Sequence, residues 1–202
     1  MTRHASLAAL CASFVLAILP LAAFAHLGQG DLHGGLQAGL LHPVSGLDHV
    51  IAMIAVGIWG AQLGAPAMWA LPVCFPLVMA LGGALGAAGV PLPGIEIGIA
   101  LSGVALGAMV AFAARPPLWA ALTLVGFFAI FHGHAHGAEL PPGSDAVAYS
   151  VGFVVATGML HVCGILCGLA HRSRLGARAL RLAGTMIASG GCYFLVAHFA
   201  GA

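Results

Sequence analysis

The residues of this chain that are best suited to chemistry are its histidines, and the first group of them shares a short segment with an acid. That segment reads His42-Pro43-Val44-Ser45-Gly46-Leu47-Asp48-His49. On a helix, His42 and His49 lie on roughly one face, two turns apart, whereas Asp48 lies about 100° round from His49. Imidazole and carboxylate together suit divalent transition-metal ions, so we interpret the segment as a metal site. The alternative is a local role, in which Asp48 caps a turn near Gly46 and bonds to His49.

A second histidine group, Phe131-His132-Gly133-His134-Ala135-His136-Gly137-Ala138-Glu139, ends a long apolar run. Its imidazoles suit nickel, copper, zinc or iron, and its carboxylate would compensate the charge of the ion. A solvated loop that is rich in histidine by chance is the alternative. Because both groups are expected at the same depth in the fold, we interpret them as parts of one site.

Weaker candidate ligands are spread along the rest of the chain. His161, in a later apolar run, is either a deeper stop on an ion path or a donor to the carbonyl of a neighbouring helix. Glu96 is expected near the outer surface, where it would gather cations, although acids are also favoured at helix N-termini. His26 and His33 precede the first group and are expected to take ions from outside.

The elements that must position these residues are membrane helices. The chain is 61% hydrophobic and 5% charged, whereas a soluble domain has roughly 25% charged residues, so lipid must cover its surface. In lipid every backbone polar group needs an internal partner, and apolar stretches of ~20 residues are therefore expected to be α-helices. The prediction is an all-α membrane protein, a six-transmembrane-helix bundle after an N-terminal signal peptide, with spans at about 43–63, 67–88, 95–114, 117–135, 146–170 and 179–200.

The N-terminal segment is typical of a secretory signal. A short basic stretch precedes the apolar run Leu7 to Leu19, and Ala23-Phe24-Ala25 fits an A-x-A cleavage site. We therefore predict a cleaved signal peptide over residues 1–25 and a single membrane domain over 26–202; an uncleaved first span is the alternative. Residues 27–41 are too polar to span and are expected at the outer surface. Pro43 is expected in the first turn of the first span, where its missing N–H costs nothing.

The charges of the chain predict its orientation. If the signal exports the N-terminus, every arginine after it falls at a cytoplasmic helix end, as the positive-inside rule requires; these are Arg115, Arg172, Arg174, Arg178 and Arg181. The predicted localisation is the bacterial inner (cytoplasmic) membrane, with several spans and with both the N-terminus and the C-terminus on the periplasmic side.

The two histidine motifs resemble a known family. His42-Pro43-x2-Gly46-x-Asp48-His49, continuing to Met53 and Val56-Gly57, and the fourth-span motif from Phe131 to Glu139 are similar to the HupE/UreJ family of nickel permeases, over essentially the whole chain. The resemblance implies a secondary transporter of Ni²⁺ or Co²⁺ that serves the maturation of hydrogenase or urease. It implies metal contacts by the matching residues, which are His42, Asp48, His49, His132, His136 and Glu139. His134 stands at a variable position of the motif.

A transporter would explain histidines at graded depth, a carboxylate within a span and no sizeable soluble domain. We expect no enzyme activity and no permanent cofactor, with Ni²⁺ or Co²⁺ as the transported ion. The expected partners are that ion and the lipid bilayer, with a homo-oligomer or hydrogenase and urease accessory proteins as further candidates. A near-neutral net charge of +1 argues against nucleic acid. Two other classes stay open, namely a membrane-embedded redox protein with histidine-ligated metal or haem, and a metal-sensing subunit of a larger complex.

Overall fold

The computed structural model describes residues 32–140 and 145–201, and no strand occurs among them. A short 3-10 turn, Leu169–Arg172, joins the last two of seven helices in these ranges. The helices are α1 (Leu32–Ser45), α2 (Leu47–Leu63), α3 (Ala67–Ala87), α4 (Ile95–Phe112), α5 (Leu118–Ala138), α6 (Ala146–Gly168) and α7 (Arg174–Ala200). The predicted signal peptide and His26 lie outside the described residues, so both stay predictions.

The lengths and surfaces of these helices are those of a multi-pass membrane protein. In the described ranges, five helices are long and apolar enough to cross a bilayer, and the bent pair α1–α2 makes a sixth if it counts as one span. Large apolar side chains such as Leu77, Phe112, Trp119 and Phe199 are exposed on the outside of the bundle. A surface of this kind is stable against lipid, as the composition predicts.

The first predicted span is broken, which differs from the single helix expected over 43–63. α1 ends at Ser45 and α2 begins at Leu47, and the two helices meet at an angle of 82°. Pro43 therefore does not start the span but lies buried in the last turn of α1. The described part of the polar segment 27–41 belongs to α1, which packs along α6.

Glycines bring α5, which carries the second histidine group, close to α3. A Cβ on Gly133 would collide with the carbonyl of Met79, and one on Gly137 would collide with that of Gly83. The backbones of α3 and α5 therefore touch, as small residues allow in membrane bundles. The alternation of glycine with histidine in this motif gives α5 a glycine face toward α3 and a separate face that carries His132 and His136.

The two ends of the bundle differ in chemistry. α2 begins at the end that holds His49, here called the histidine end, and it finishes where Trp59 Nε1 donates to the Ala114 carbonyl at 2.9 Å. The end of the bundle where α2 finishes is here called the arginine end, and it holds the C-terminus of α4, the 3-10 turn and the start of α7. The arginines of the described residues belong to these segments, namely Arg115, Arg172, Arg174, Arg178 and Arg181.

Candidate metal site

The second histidine group is helical and buried, so its interpretation as a solvated loop is wrong. α5 continues to Ala138, and His132 and His136, one turn apart on the same face, are 0% and 7% exposed. Glu139 caps the helix end and keeps 60% of its side chain exposed. The motif therefore runs from a buried imidazole to an acid at the surface.

Four imidazole rings meet between α1, α2 and α5. The ring of His136 is centred 4.7 Å from that of His42 and 4.2 Å from that of His49. The ring of His49 is in turn 4.5 Å from that of His132. His42 and His49 thus share a neighbour because of the bend between α1 and α2, and not because they lie on one face of a continuous helix.

The outer part of this cluster has the donor set of a metal site. His42, His136 and Glu139 offer ligand atoms that all lie within 4.8 Å of one another. In the same group, His42 Nε2 is 3.2 Å from Glu139 Oε2. Two imidazoles and a carboxylate at this spacing suit a divalent transition-metal ion after small side-chain adjustments.

Asp48 bonds to its neighbour, as the alternative interpretation of this residue proposed, and the bond orients a candidate ligand. Asp48 Oδ1 accepts from the backbone N–H of His49 at 2.8 Å and lies 3.1 Å from His49 Nδ1. With its proton on Nδ1, His49 has an unprotonated Nε2, which is the arrangement of carboxylate–histidine–metal sites. Gly46 leaves room for the pair, because a Cβ there would lie 2.8 Å from Asp48 Oδ1.

Ser102 of α4 orients His132 in a similar way. The Ser102 hydroxyl donates to the Ile99 carbonyl at 2.6 Å, and its oxygen lies 2.8 Å from His132 Nε2. A hydroxyl has a single proton, so Nε2–H must donate to Ser102. His132 Nδ1 is then unprotonated and can act as a ligand.

The remaining ring nitrogens of His49, His132 and His136 are buried and have no hydrogen-bond partner. They are His49 Nε2, His132 Nδ1 and both nitrogens of His136. An unsatisfied buried polar group costs about 1–3 kcal/mol, so a cluster of them calls for an explanation. A cation that accepts one lone pair from each of these three rings would provide one, and the second nitrogen of His136 would keep its proton.

A cavity of about 240 Å³ opens beside the cluster. Its lining includes Asp48, His49, His136 and Glu139, together with Glu96 from the first turn of α4. Glu96 and Asp48 also line a neighbouring cavity of about 210 Å³. Carboxylates therefore flank the route from the surface to the imidazoles, which would attract a cation.

Four of the weaker candidates lie apart from the ring cluster or have side chains that are not described. His134 points elsewhere, and its Nε2–H donates to the Val90 carbonyl at 2.6 Å, so it holds the loop between α3 and α4. His161 is buried on α6, away from the cluster. His33 belongs to the first turn of α1, and His26 is outside the described residues.

The structure adds side chains that the sequence analysis did not single out. Ser102 is one, and Phe75 is another: its ring is 5.5 Å from those of both His132 and His161. Phe153 of α6 lies 4.2 Å from the His136 ring. A lone serine or phenylalanine in an apolar helix gives no signal in one sequence, since packing explains it equally well.

Comparison with known proteins agrees with the motifs. The family described as HupE / UreJ protein matches residues 14–194. The chain belongs to the HupE/UreJ family. Protein HupE of Rhizobium leguminosarum bv. viciae is 46% identical over 181 residues, which cover 90% of this chain and 95% of that protein. No solved structure matches the chain.

Proposed function

We propose that this HupE/UreJ family member is a secondary transporter that carries Ni²⁺, or Co²⁺, across the bacterial inner membrane into the cytoplasm, where the ion serves the maturation of hydrogenase or urease. The observation that carries the proposal is the ring cluster of four histidines, in which His49, His132 and His136 have buried nitrogens without a partner inside a membrane bundle. Nickel and cobalt both accept imidazole and carboxylate ligands. The family resemblance supports the choice of these two ions.

The proposed path starts at the carboxylates. Glu96 and Glu139 attract a hydrated ion to the cavity, and the imidazoles then replace its water molecules. Both acids are exposed, whereas His132 is fully buried, so the ion is desolvated in steps. Stepwise exchange of ligands avoids the large cost of a bare charge in hydrocarbon.

The energy for transport must come from outside the chain, which has no G-x4-G-K-[ST] motif for ATP. For a divalent ion that moves inward, a membrane potential of 100 mV supplies roughly 4.6 kcal/mol, from ~2.3 kcal/mol per charge. The predicted orientation, with the histidine end toward the periplasm, would let this potential drive uptake.

The test is flux of radioactive Ni²⁺ into proteoliposomes that contain the native chain, Asp48→Asn or His49→Ala. Asparagine retains an oxygen that can accept the His49 bonds but removes the charge, so Asp48→Asn separates electrostatics from orientation. Both variants should lose most of the flux. His171→Ala is the matched control, because His171 lies at the arginine end and bonds locally to the Gly168 carbonyl.

Three outcomes are informative. Equal flux in all proteins would refute the assigned site, and no flux in any of them would refute transport of nickel. Competition by Co²⁺, Zn²⁺ and Mg²⁺ in the same assay would define the selectivity, and inhibition by Mg²⁺ as strong as that by Co²⁺ would contradict a site built from imidazoles.

A further inference from the structure

Two buried polar side chains on α6 lie beyond the ring cluster and have no role in it. His161 is 1% exposed and Thr157 is 0% exposed. Neither ring nitrogen of His161 has a hydrogen-bond partner, and neither does the hydroxyl of Thr157. A threonine in a helix usually donates to the carbonyl four residues earlier, as Thr185 does with Arg181. The free hydroxyl of Thr157 is therefore unusual for a buried position in a membrane helix.

A backbone carbonyl at the same level also lacks its normal partner. Pro76 has no N–H, so the carbonyl of Pro72, four residues earlier in α3, receives no helical hydrogen bond. This carbonyl lies near the ring of His161, although neither ring nitrogen makes a hydrogen bond with it. Thr157 lies one helical turn before His161 on α6, so an imidazole, a hydroxyl and a carbonyl oxygen belong to one level of the bundle, and each of them can be a metal ligand.

The position of these groups along the helix axes places them deeper than the ring cluster. Thr157 and His161 follow Phe153, whose ring contacts His136, by four and eight residues, which is about 6 and 12 Å. The packing of α2 indicates the same depth for His161. A Cβ on Gly57, eight residues after His49, would collide with the carbonyl of His161. Phe75 lies between the two levels, with its ring 5.5 Å from those of His132 and His161.

The deeper level carries much less negative charge than the ring cluster. In the sequence, no acid stands between Asp48 and Glu96, and none follows Asp145. The interiors of α3 and α6 and the length of α2 beyond Asp48 therefore have no carboxylate. One imidazole with two neutral oxygens binds a divalent ion more weakly than several imidazoles with carboxylates, so an ion that reached this level would be released readily. Weak and successive sites are what conduction requires.

We propose that His161, Thr157 and the Pro72 carbonyl form a second, transient site for the same divalent transition-metal ion, about 6 to 12 Å along α6 beyond the level of Phe153, toward the arginine end. The inference rests on the proposed transport function and deepens it. The ring cluster captures the ion with high affinity, and the inner site receives it with low affinity after the Phe75 side chain has moved aside. The orphaned polar groups of α6 and α3 are then explained by a ligand that occupies them only during transport.

The experiment compares Thr157→Val and His161→Gln with the native chain, and it uses two measurements with Ni²⁺. Equilibrium binding to purified protein reports on the ring cluster, and initial flux into proteoliposomes reports on the whole path. Valine has nearly the shape of threonine and removes only the hydroxyl. Thr185→Val is the matched control, because Thr185 is an exposed helix threonine with a satisfied hydroxyl.

Both variants should bind Ni²⁺ with an affinity within about twofold of the native value. Their flux should fall at least about tenfold, the change that ~1.4 kcal/mol on the barrier produces, while Thr185→Val transports normally. If the Thr157→Val variant transports Ni²⁺ as fast as the native chain, the inner site alone is overturned. Weakened equilibrium binding in the two variants would also overturn it, because the groups would then support the ring cluster. No flux in the native chain would refute the transport function itself. If His161→Gln does not fold, as judged by gel filtration, Thr157→Val decides the question.

Discussion

The bond between Ser102 and His132 makes a sharp prediction about metal affinity. Replacing Ser102 with alanine removes the acceptor of the Nε2–H donor, which lies 2.8 Å away in a fully buried pair. A buried donor without a partner costs about 1–3 kcal/mol. Without that acceptor nothing fixes the tautomer, so the proton can also occupy Nδ1, the nitrogen assigned to the ion, and metal binding must then reverse the move.

The expected result is Ni²⁺ binding weakened about 10- to 100-fold, the range found when partners that orient metal ligands are removed. The assay is isothermal titration calorimetry on the detergent-solubilised protein. Long-range ¹H–¹⁵N NMR of histidine-labelled protein reports the tautomer of His132, which a merely structural effect would leave unchanged. Ser150→Ala is the control, since this exposed serine of α6 bonds only to the Ala146 carbonyl of its own helix.

Two results would refute the reasoning. The first is native Ni²⁺ affinity in Ser102→Ala, and the second is a His132 ring that carries its proton on Nδ1 already in the native chain. If Ser102→Ala lowers the thermal stability of the protein but leaves its Ni²⁺ affinity unchanged, Ser102 supports packing and does not orient the ligand.

Further predictions concern the same site. Gly46→Ala should weaken Ni²⁺ binding at least about tenfold in calorimetry, because the new Cβ would lie 2.8 Å from Asp48 Oδ1 and displace it from His49; unchanged affinity would show that the pair tolerates the methyl group. His134→Ala should lower the unfolding free energy by about 1–2 kcal/mol, through loss of the bond to Val90, and leave the number of bound ions unchanged; a lost ion in equilibrium dialysis would make His134 a ligand. Ni²⁺ affinity should fall as the pH is lowered, because protonated imidazole cannot bind metal, and the fall should begin below about pH 6 because burial disfavours the charged ring; an affinity that rises as the pH falls from 7 to 5 would exclude a site dominated by histidine.

The helices could be predicted because lipid imposes a simple rule on an apolar chain. Runs of apolar residues between Pro and Gly breaks indicate spans, and the ends of α3, α4 and α6 lie within a few residues of the predicted ones. The break at Gly46 was not predicted, because a continuous helix from Pro43 satisfies the length rule equally well. Beyond the bend α1 packs along α6, and this contact between distant segments is a tertiary property.

The candidate site, like the fold, could be predicted from the sequence only in part. Spacing predicts that His132 and His136 share a face, and the structure places both beside His49. The same spacing puts His134 about 200° round the helix from both, but it does not predict that the His134 ring reaches the Val90 carbonyl. Ser102 is not recognisable from spacing at all, since its role depends on a contact between α4 and α5.

The break between α1 and α2 places the two ends of the first motif on separate helices. His42 belongs to one of these helices and His49 to the other, so the distance between their rings depends on the angle at this joint. An ion held by both rings would act as a strut across the joint and fix its angle. Conversely, any force that turns α1 relative to α2 would pull on the coordination sphere, and by linkage it would change the affinity for the ion.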